Sequence, residues 1–216
     1  MSRTYLMVAL GLLVSTLVAF LMTSSYTLLY MVARSSLLIC LAEFGIAIYF
    51  TSRLQQMKTK TAYLCYFLYS FMTGLTLGII ILSYTSASVV LALATTTILF
   101  VCMAIIGKTT NVDFTQFSSL ISTGLITIMI VSLLNGLLFH SSMTDILVCH
   151  VMVIIFLVLI AMDVQQLRRF YDLSNYNDDL RNRMMIMGAF QLYLDFINLF
   201  LRVLQIFGRR DDRRSL

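Results

Sequence analysis

Seven apolar stretches, each close to the length needed to cross a bilayer, dominate this sequence of 216 residues. They cover residues 5–23, 36–51, 61–82, 87–106, 118–139, 146–168 and 184–207. A helix of about 20 apolar residues spans the hydrocarbon core, and a soluble domain of this size needs far less apolar surface. The sequence therefore predicts an all-α membrane protein, with seven transmembrane helices in a single transmembrane domain (residues 1–216).

The charged residues exclude a nucleic-acid-binding protein, although the net charge is +5. Only 12% of the residues are charged, and most basic ones lie in short linkers beside the apolar stretches. Lys and Arg in such linkers orient a chain in the membrane, with the more basic side facing the cytoplasm. The predicted partner is therefore the lipid bilayer, and we expect no nucleic-acid partner.

The distribution of Lys and Arg predicts that the N-terminus lies inside and the C-terminus outside. In that orientation the inner side holds 9 basic residues and the outer side 5, four of which belong to the tail after residue 207. The basic tail favours the opposite side, and it would lie inside if the last stretch were re-entrant. We predict that the last stretch spans the membrane fully.

Three carboxylates lie inside the apolar stretches. Glu43 is the only glutamate in the chain and lies in the middle of the second stretch, whereas Asp163 and Asp195 lie in the last two. A charge at the bilayer centre costs about 3 kcal/mol, so acidic side chains are expected to face the protein interior or a wet cavity. These three residues are the main candidates for a functional site.

Asp163 and Asp195 are predicted to meet, because consecutive antiparallel helices bring them to a similar depth. Two carboxylates within a few ångströms of each other do not both ionise cheaply, so we expect them to share one proton and to titrate as a pair. Oxygen ligands of this kind suit Ca²⁺, which makes the pair a candidate Ca²⁺ contact. Arg53, at the inner end of the second stretch, is a candidate counter-charge, or else an ordinary charge of a linker.

The last stretch also carries a polar stripe that supports the acid pair. Gln191, Asp195, Asn198 and Arg202 are spaced at intervals of three or four residues. This spacing places them on one face of a helix. A polar face within an apolar helix is typical of a central helix surrounded by others, whose amide groups bond to neighbouring helices.

Three segments resemble the Bax inhibitor-1 (TMBIM) family of membrane proteins. The most specific is AFQLYLDFINLFLRVLQIFG at residues 189–208, and the others are AMDVQQ at 161–166 and FLYSFMTGLTLG at 67–78. The resemblance covers nearly the whole chain in order and length. It implies a bundle of seven helices with the C-terminal helix at its centre.

The resemblance also implies a function, a calcium leak across a membrane that depends on pH. It assigns the proton-sensing pair to Asp163 and Asp195, and links a glutamate and an arginine of the second helix, here Glu43 and Arg53, to gating. The family's bacterial members lead us to expect a multi-pass protein of the bacterial inner membrane, or of an endomembrane in a eukaryote.

Two other classes of function compete with the channel. The first is an interaction protein that modulates another membrane protein, such as a quality-control protease or a cell-death regulator. The second is an intramembrane aspartyl protease, but the residues around Asp163 and Asp195 lack the glycine pattern of those enzymes. We therefore predict a calcium channel rather than an enzyme, with no cofactor and with Ca²⁺ as the permeant ion.

Overall fold

The chain folds into helices along almost its whole length. The computed structural model describes residues 2–54, 56–110, 112–173 and 178–208. Within these ranges the α-helices are α1 (Ser2–Thr23), α2 (Tyr26–Arg34), α3 (Ser36–Arg53), α4 (Thr59–Leu82), α5 (Ser86–Thr109), α6 (Ser118–Leu134), α7 (Ser142–Leu173) and α8 (Asp178–Phe207). A 3₁₀ turn, Phe114–Phe117, precedes α6, and a π-helical turn, Asn135–Phe139, follows it.

Seven helical segments of the described chain are long and apolar enough to cross a membrane. They correspond one by one to the seven predicted stretches, so the prediction of an all-α, seven-helix membrane protein is confirmed. The additional helix α2 was not predicted, because its nine residues lie between the first two apolar stretches. The basic tail at 209–216 lies outside the described residues.

The last helix differs from the other spans in its burial. In α8, 67% of the most apolar 18-residue stretch is buried, whereas the value is 39% or lower in the other six described spans. The helix runs without interruption from Asp178 to Phe207. At about 1.5 Å per residue, the 27 residues of Arg181–Phe207 extend roughly 40 Å, enough for a full span.

The described helices group into two compact units. The first contains α1 to α4 and the N-terminal part of α8, and the second contains α5, α6, most of α7 and the C-terminal part of α8. In the first unit, small residues let α1 and α4 approach closely: a methyl group on Gly74 would lie 2.7 Å from the Cβ of Val18. Gly78, one turn further along α4, packs in the same way against Met22 of α1, so the pair of glycines allows a close helix contact.

Close backbone packing also occurs in the second unit, between α5 and α7. A methyl group added to Gly107 would lie 2.9 Å from the Cα of Ala161. Glycine at this point lets the two backbones touch without a side chain between them. The contact lies half a turn from Asp163, so it fixes the position of the α7 segment that carries this acid.

Candidate functional site

The two acids of the last spans lie together in the second unit. Asp163 belongs to α7, and Asp195 belongs to α8. The carboxyl groups of Asp163 and Asp195 lie within hydrogen-bonding reach of each other. Asp195 is only 6% exposed, and its neighbour Phe196 packs edge-on against Phe100 of α5 with ring centroids 5.5 Å apart.

A hydrogen bond between these two carboxyl groups requires a proton. Two ionised carboxylates offer only acceptors, so a hydrogen bond between them exists only when one is protonated. The Oδ2 atom of Asp195 is buried and accepts no hydrogen bond from another described residue. An ionised carboxylate in this position would be poorly compensated, which favours a state in which Asp163 and Asp195 hold one proton between them.

Glu43 occupies a different environment in the first unit. Its carboxylate is partly buried and accepts a hydrogen bond from the Thr76 hydroxyl of α4, with Thr76 Oγ1 and Glu43 Oε1 2.9 Å apart. A hydroxyl donor stabilises the ionised form, and the exposed part of the side chain can be hydrated. Glu43 thus has a hydroxyl donor as its partner, where Asp195 has a second acid.

Arg53 lies at the C-terminal end of α3, where its side chain is exposed. Its Nη1 atom donates to Oε1 of Gln56 at 3.2 Å. The structure thus gives Arg53 a local partner three residues along the chain. Its predicted role as counter-charge of the aspartates stays a prediction.

The polar stripe of α8 bonds mainly within its own helix. Asn198 Nδ2 donates to the carbonyl oxygen of Leu194 at 2.9 Å, and Arg202 Nη1 donates to Gln205 Oε1 at 2.8 Å. Gln191 is partly buried. The expected bond from Asn198 to a neighbouring helix stays a prediction; its amide nitrogen donates to the carbonyl one turn earlier in α8.

Gln205, which is not one of the predicted stripe residues, connects the stripe to α7. Gln205 Oε1, which accepts from Arg202, also lies 3.1 Å from the Sγ atom of Cys149 in α7. Cys149 is buried. This is a second contact between α7 and α8.

A metal ion would find few ligands among the described side chains. No group of three or more His, Cys, Asp or Glu residues is placed to hold one in the part of the chain that the structure describes. By themselves, Asp163 and Asp195 supply only two carboxyl groups, whereas a stable Ca²⁺ site takes six to eight oxygen ligands. This arrangement suits transient contact with a passing ion better than tight binding.

A buried cluster of hydroxyl groups, which the sequence did not predict, lies in the first unit. Ser15 of α1 donates to the carbonyl oxygen of Ser70 at 2.7 Å and lies 2.6 Å from the hydroxyl oxygen of Tyr193. Because the serine proton is directed at a carbonyl, the Tyr193 hydroxyl is the donor in the second contact. Tyr193 precedes Asp195 by two residues on α8. The polar residues within the apolar sequence of α1 were the only sign in the sequence that this helix has a polar contact.

Comparison with known proteins identifies the family. Residues 1–212 match the family described as "Inhibitor of apoptosis-promoting Bax1". The chain is 32% identical to an uncharacterized protein of Borreliella burgdorferi over 97% of its own length and 91% of the relative's. It is also 32% identical to the inner membrane protein YbhL of Escherichia coli, with the same coverage of both chains.

A third relative has the same degree of similarity. The uncharacterized protein RP147 of Rickettsia prowazekii is 32% identical over 98% of this chain and 90% of its own. The matched lengths leave no large part of either chain unaccounted for. Together with the seven spans, these similarities show that the chain is an integral, multi-pass membrane protein that belongs to the Bax inhibitor-1 family.

Proposed function

We propose that this protein is a calcium-leak channel whose conductance depends on pH, and that the proton shared by Asp163 and Asp195 controls it. The observation that carries the proposal is the pair of carboxyl groups that lie within hydrogen-bonding reach of each other on α7 and α8, with Asp195 almost fully buried. A buried acid pair responds to pH and to cations, and it is costly to keep in a membrane without a use. The inner membrane is the expected location, because YbhL is named an inner membrane protein.

The direction of the pH response follows from the charge of the pair. With one proton bound, Asp163 and Asp195 together carry one negative charge. A second proton removes this charge. The electrostatic interactions through which the charge stabilises the closed state are then lost. We expect calcium flux to rise as the pH falls towards mildly acidic values, and to decline at still lower pH because a neutral pair attracts Ca²⁺ poorly.

The test measures calcium flux in liposomes that contain only the purified protein. We expect flux that depends on pH between 5 and 8, and loss of this dependence in Asp163→Asn and in Asp195→Asn, since either leaves a lone carboxylate without its coupled partner. The matched control is Asp145→Asn, which removes an acid from the first turn of α7, away from the pair.

Two results would count against the proposal. If the wild-type protein conducts no calcium at any pH, the channel function fails, and modulation of another membrane protein becomes the better hypothesis. If either Asn variant keeps the wild-type pH profile, the shared proton does not control the channel, even though the protein conducts.

A further inference from the structure

The end of α7 that follows Asp163 holds the connection between α5 and α6 through its side chains. Gln165 is 8% exposed. Its Nε2 atom donates to the carbonyl oxygen of Val112 at 2.7 Å, and its Oε1 atom accepts from the backbone N–H of Phe114 at 2.9 Å. One buried amide thus satisfies a donor and an acceptor of the connecting backbone, as a neighbouring strand would.

Two arginines of the same helix add further contacts with this region. Arg168 Nη1 donates to the carbonyl oxygen of Lys108 at 2.8 Å. Arg169 donates to Thr115 Oγ1 at 2.9 Å and forms an ion pair with Asp113, with Arg169 Nη2 and Asp113 Oδ1 2.8 Å apart. The ion pair is half exposed and contributes little by itself, so the buried amide of Gln165 is the main attachment.

The geometry of α7 places the acid pair and this attachment on opposite faces of one short helical segment. Asp163 and Gln165 are two residues apart, which corresponds to a rotation of about 200° around the helix axis. Asp163 therefore meets α8 on one side, while Gln165 holds the connection on the other. A helix is stiff over two residues, so a displacement at Asp163 reaches Gln165 undiminished.

We propose that Gln165 is a positioning residue that makes the α5–α6 connection move with α7, so that this connection follows the protonation state of the Asp163–Asp195 pair. The link to calcium flux rests on the proposed function, but the movement itself does not. In the predicted orientation this connection lies on the cytoplasmic side, at the inner end of the second unit.

The charged groups around the connection do not supply a competing pH response in the range of interest. The Arg169 guanidinium and the Thr115 hydroxyl lower the pKa of the Asp113 carboxyl to about 2. Asp113 therefore stays ionised between pH 5 and 8. The other charged residues beside the connection are Lys108, Arg168 and Arg169. Asp195 is the titratable group that faces Asp163 from α8.

A tryptophan reporter tests the movement directly, because the chain contains no tryptophan. Val112 is 52% exposed and accepts from Gln165 with its backbone carbonyl, which Val112→Trp retains while it introduces a single fluorophore on the connection. The protein is reconstituted in liposomes, and quenching of the tryptophan by acrylamide is measured between pH 5 and 8. We expect quenching to change with pH in this parent protein, and the change to disappear when Asp163→Asn is added.

Three variants of the parent separate positioning from simple stability. Gln165→Leu removes both hydrogen bonds, so we expect high quenching at every pH and loss of the pH-dependent change. Gln165→Asn keeps the amide on a side chain one methylene shorter, so the two hydrogen bonds are weakened and part of the change should remain. Gln166→Leu is the matched control, because Gln166 is the neighbouring glutamine, also partly buried, and lies outside these contacts.

The outcomes distinguish this proposal from the proposed function. If Gln165→Leu retains the parent's pH-dependent quenching, or if Gln166→Leu loses it equally, the positioning role is overturned. If the protein folds and shows pH-dependent quenching that is lost in Asp163→Asn and Gln165→Leu, yet conducts no calcium, this result supports the coupling and refutes the channel. If Gln165→Leu keeps both the parent's pH-dependent quenching and its pH-dependent flux, the coupling is refuted and the channel is left intact.

Discussion

Glu43 in the first unit and Asp195 in the second show two ways to keep a carboxylate inside a membrane protein. Glu43 is partly exposed and receives a hydrogen bond from Thr76. Asp195 is buried, has an oxygen without a donor among the described residues, and faces another acid. The partner of each acid makes the difference: a hydroxyl donor favours the ionised form of a carboxyl group, whereas a second carboxyl group favours the protonated form.

The largest expected effect concerns the pair. Asp163→Asn and Asp195→Asn should each flatten the dependence of calcium flux on pH, and the double variant should lose no more than either single one. The reason is that one proton belongs to both residues, so the two substitutions remove the same property. Flux measured at several pH values for the three variants checks this, and additive losses would show that the acids act separately.

Glu43→Gln should have a smaller effect of another kind. The amide retains an oxygen that accepts from Thr76 and removes the charge, so calcium flux should fall about fivefold at every pH, as expected for about 1 kcal/mol of lost cation attraction in a hydrated site. The pH of half-maximal flux should not move. Unchanged flux at every pH would mean that Glu43 is only a tolerated hydrogen-bonding residue.

Thr76→Val tests the hydroxyl that distinguishes the two acids. The substitution keeps the shape of the side chain and leaves Glu43 without its donor, which should lower the stability by about 1 kcal/mol. Thermal unfolding in detergent measures the change. Thr97→Val is the matched control, because Thr97 is exposed and its hydroxyl bonds only to the carbonyl oxygen of Leu93 on its own helix; an equal loss there would remove the special role of Thr76.

The smallest effect is expected for Asp113, an acid paired with a base. Its lowered pKa of about 2 means that the ionised form is favoured in the folded state, so the stabilisation is present above the unfolded pKa and is lost as pH falls through about 2. Asp113→Asn should therefore lower the unfolding temperature slightly and equally at every pH from 5 to 8. A difference that varies within this range would contradict the assignment.

The sequence was sufficient for the helices because membrane spans are defined by length and apolarity, and both are local properties. It also predicted that Asp163 and Asp195 meet, since consecutive antiparallel helices leave few alternatives. It did not predict the partners of Gln165 or Tyr193. Their contacts lie 51 or more residues away along the chain, and no local pattern specifies which distant backbone or hydroxyl group they reach.

The turn between α6 and α7 has a consequence for the order in which the chain folds. Asn135 is 2% exposed, and its amide nitrogen donates to the carbonyl oxygen of Ser141 and to Asp145, while its amide oxygen accepts from the backbone of Ser141. The turn is thus closed by residues within ten positions of one another. Because these bonds are local in sequence, the turn can close as soon as residue 145 has been made, before α8 is synthesised.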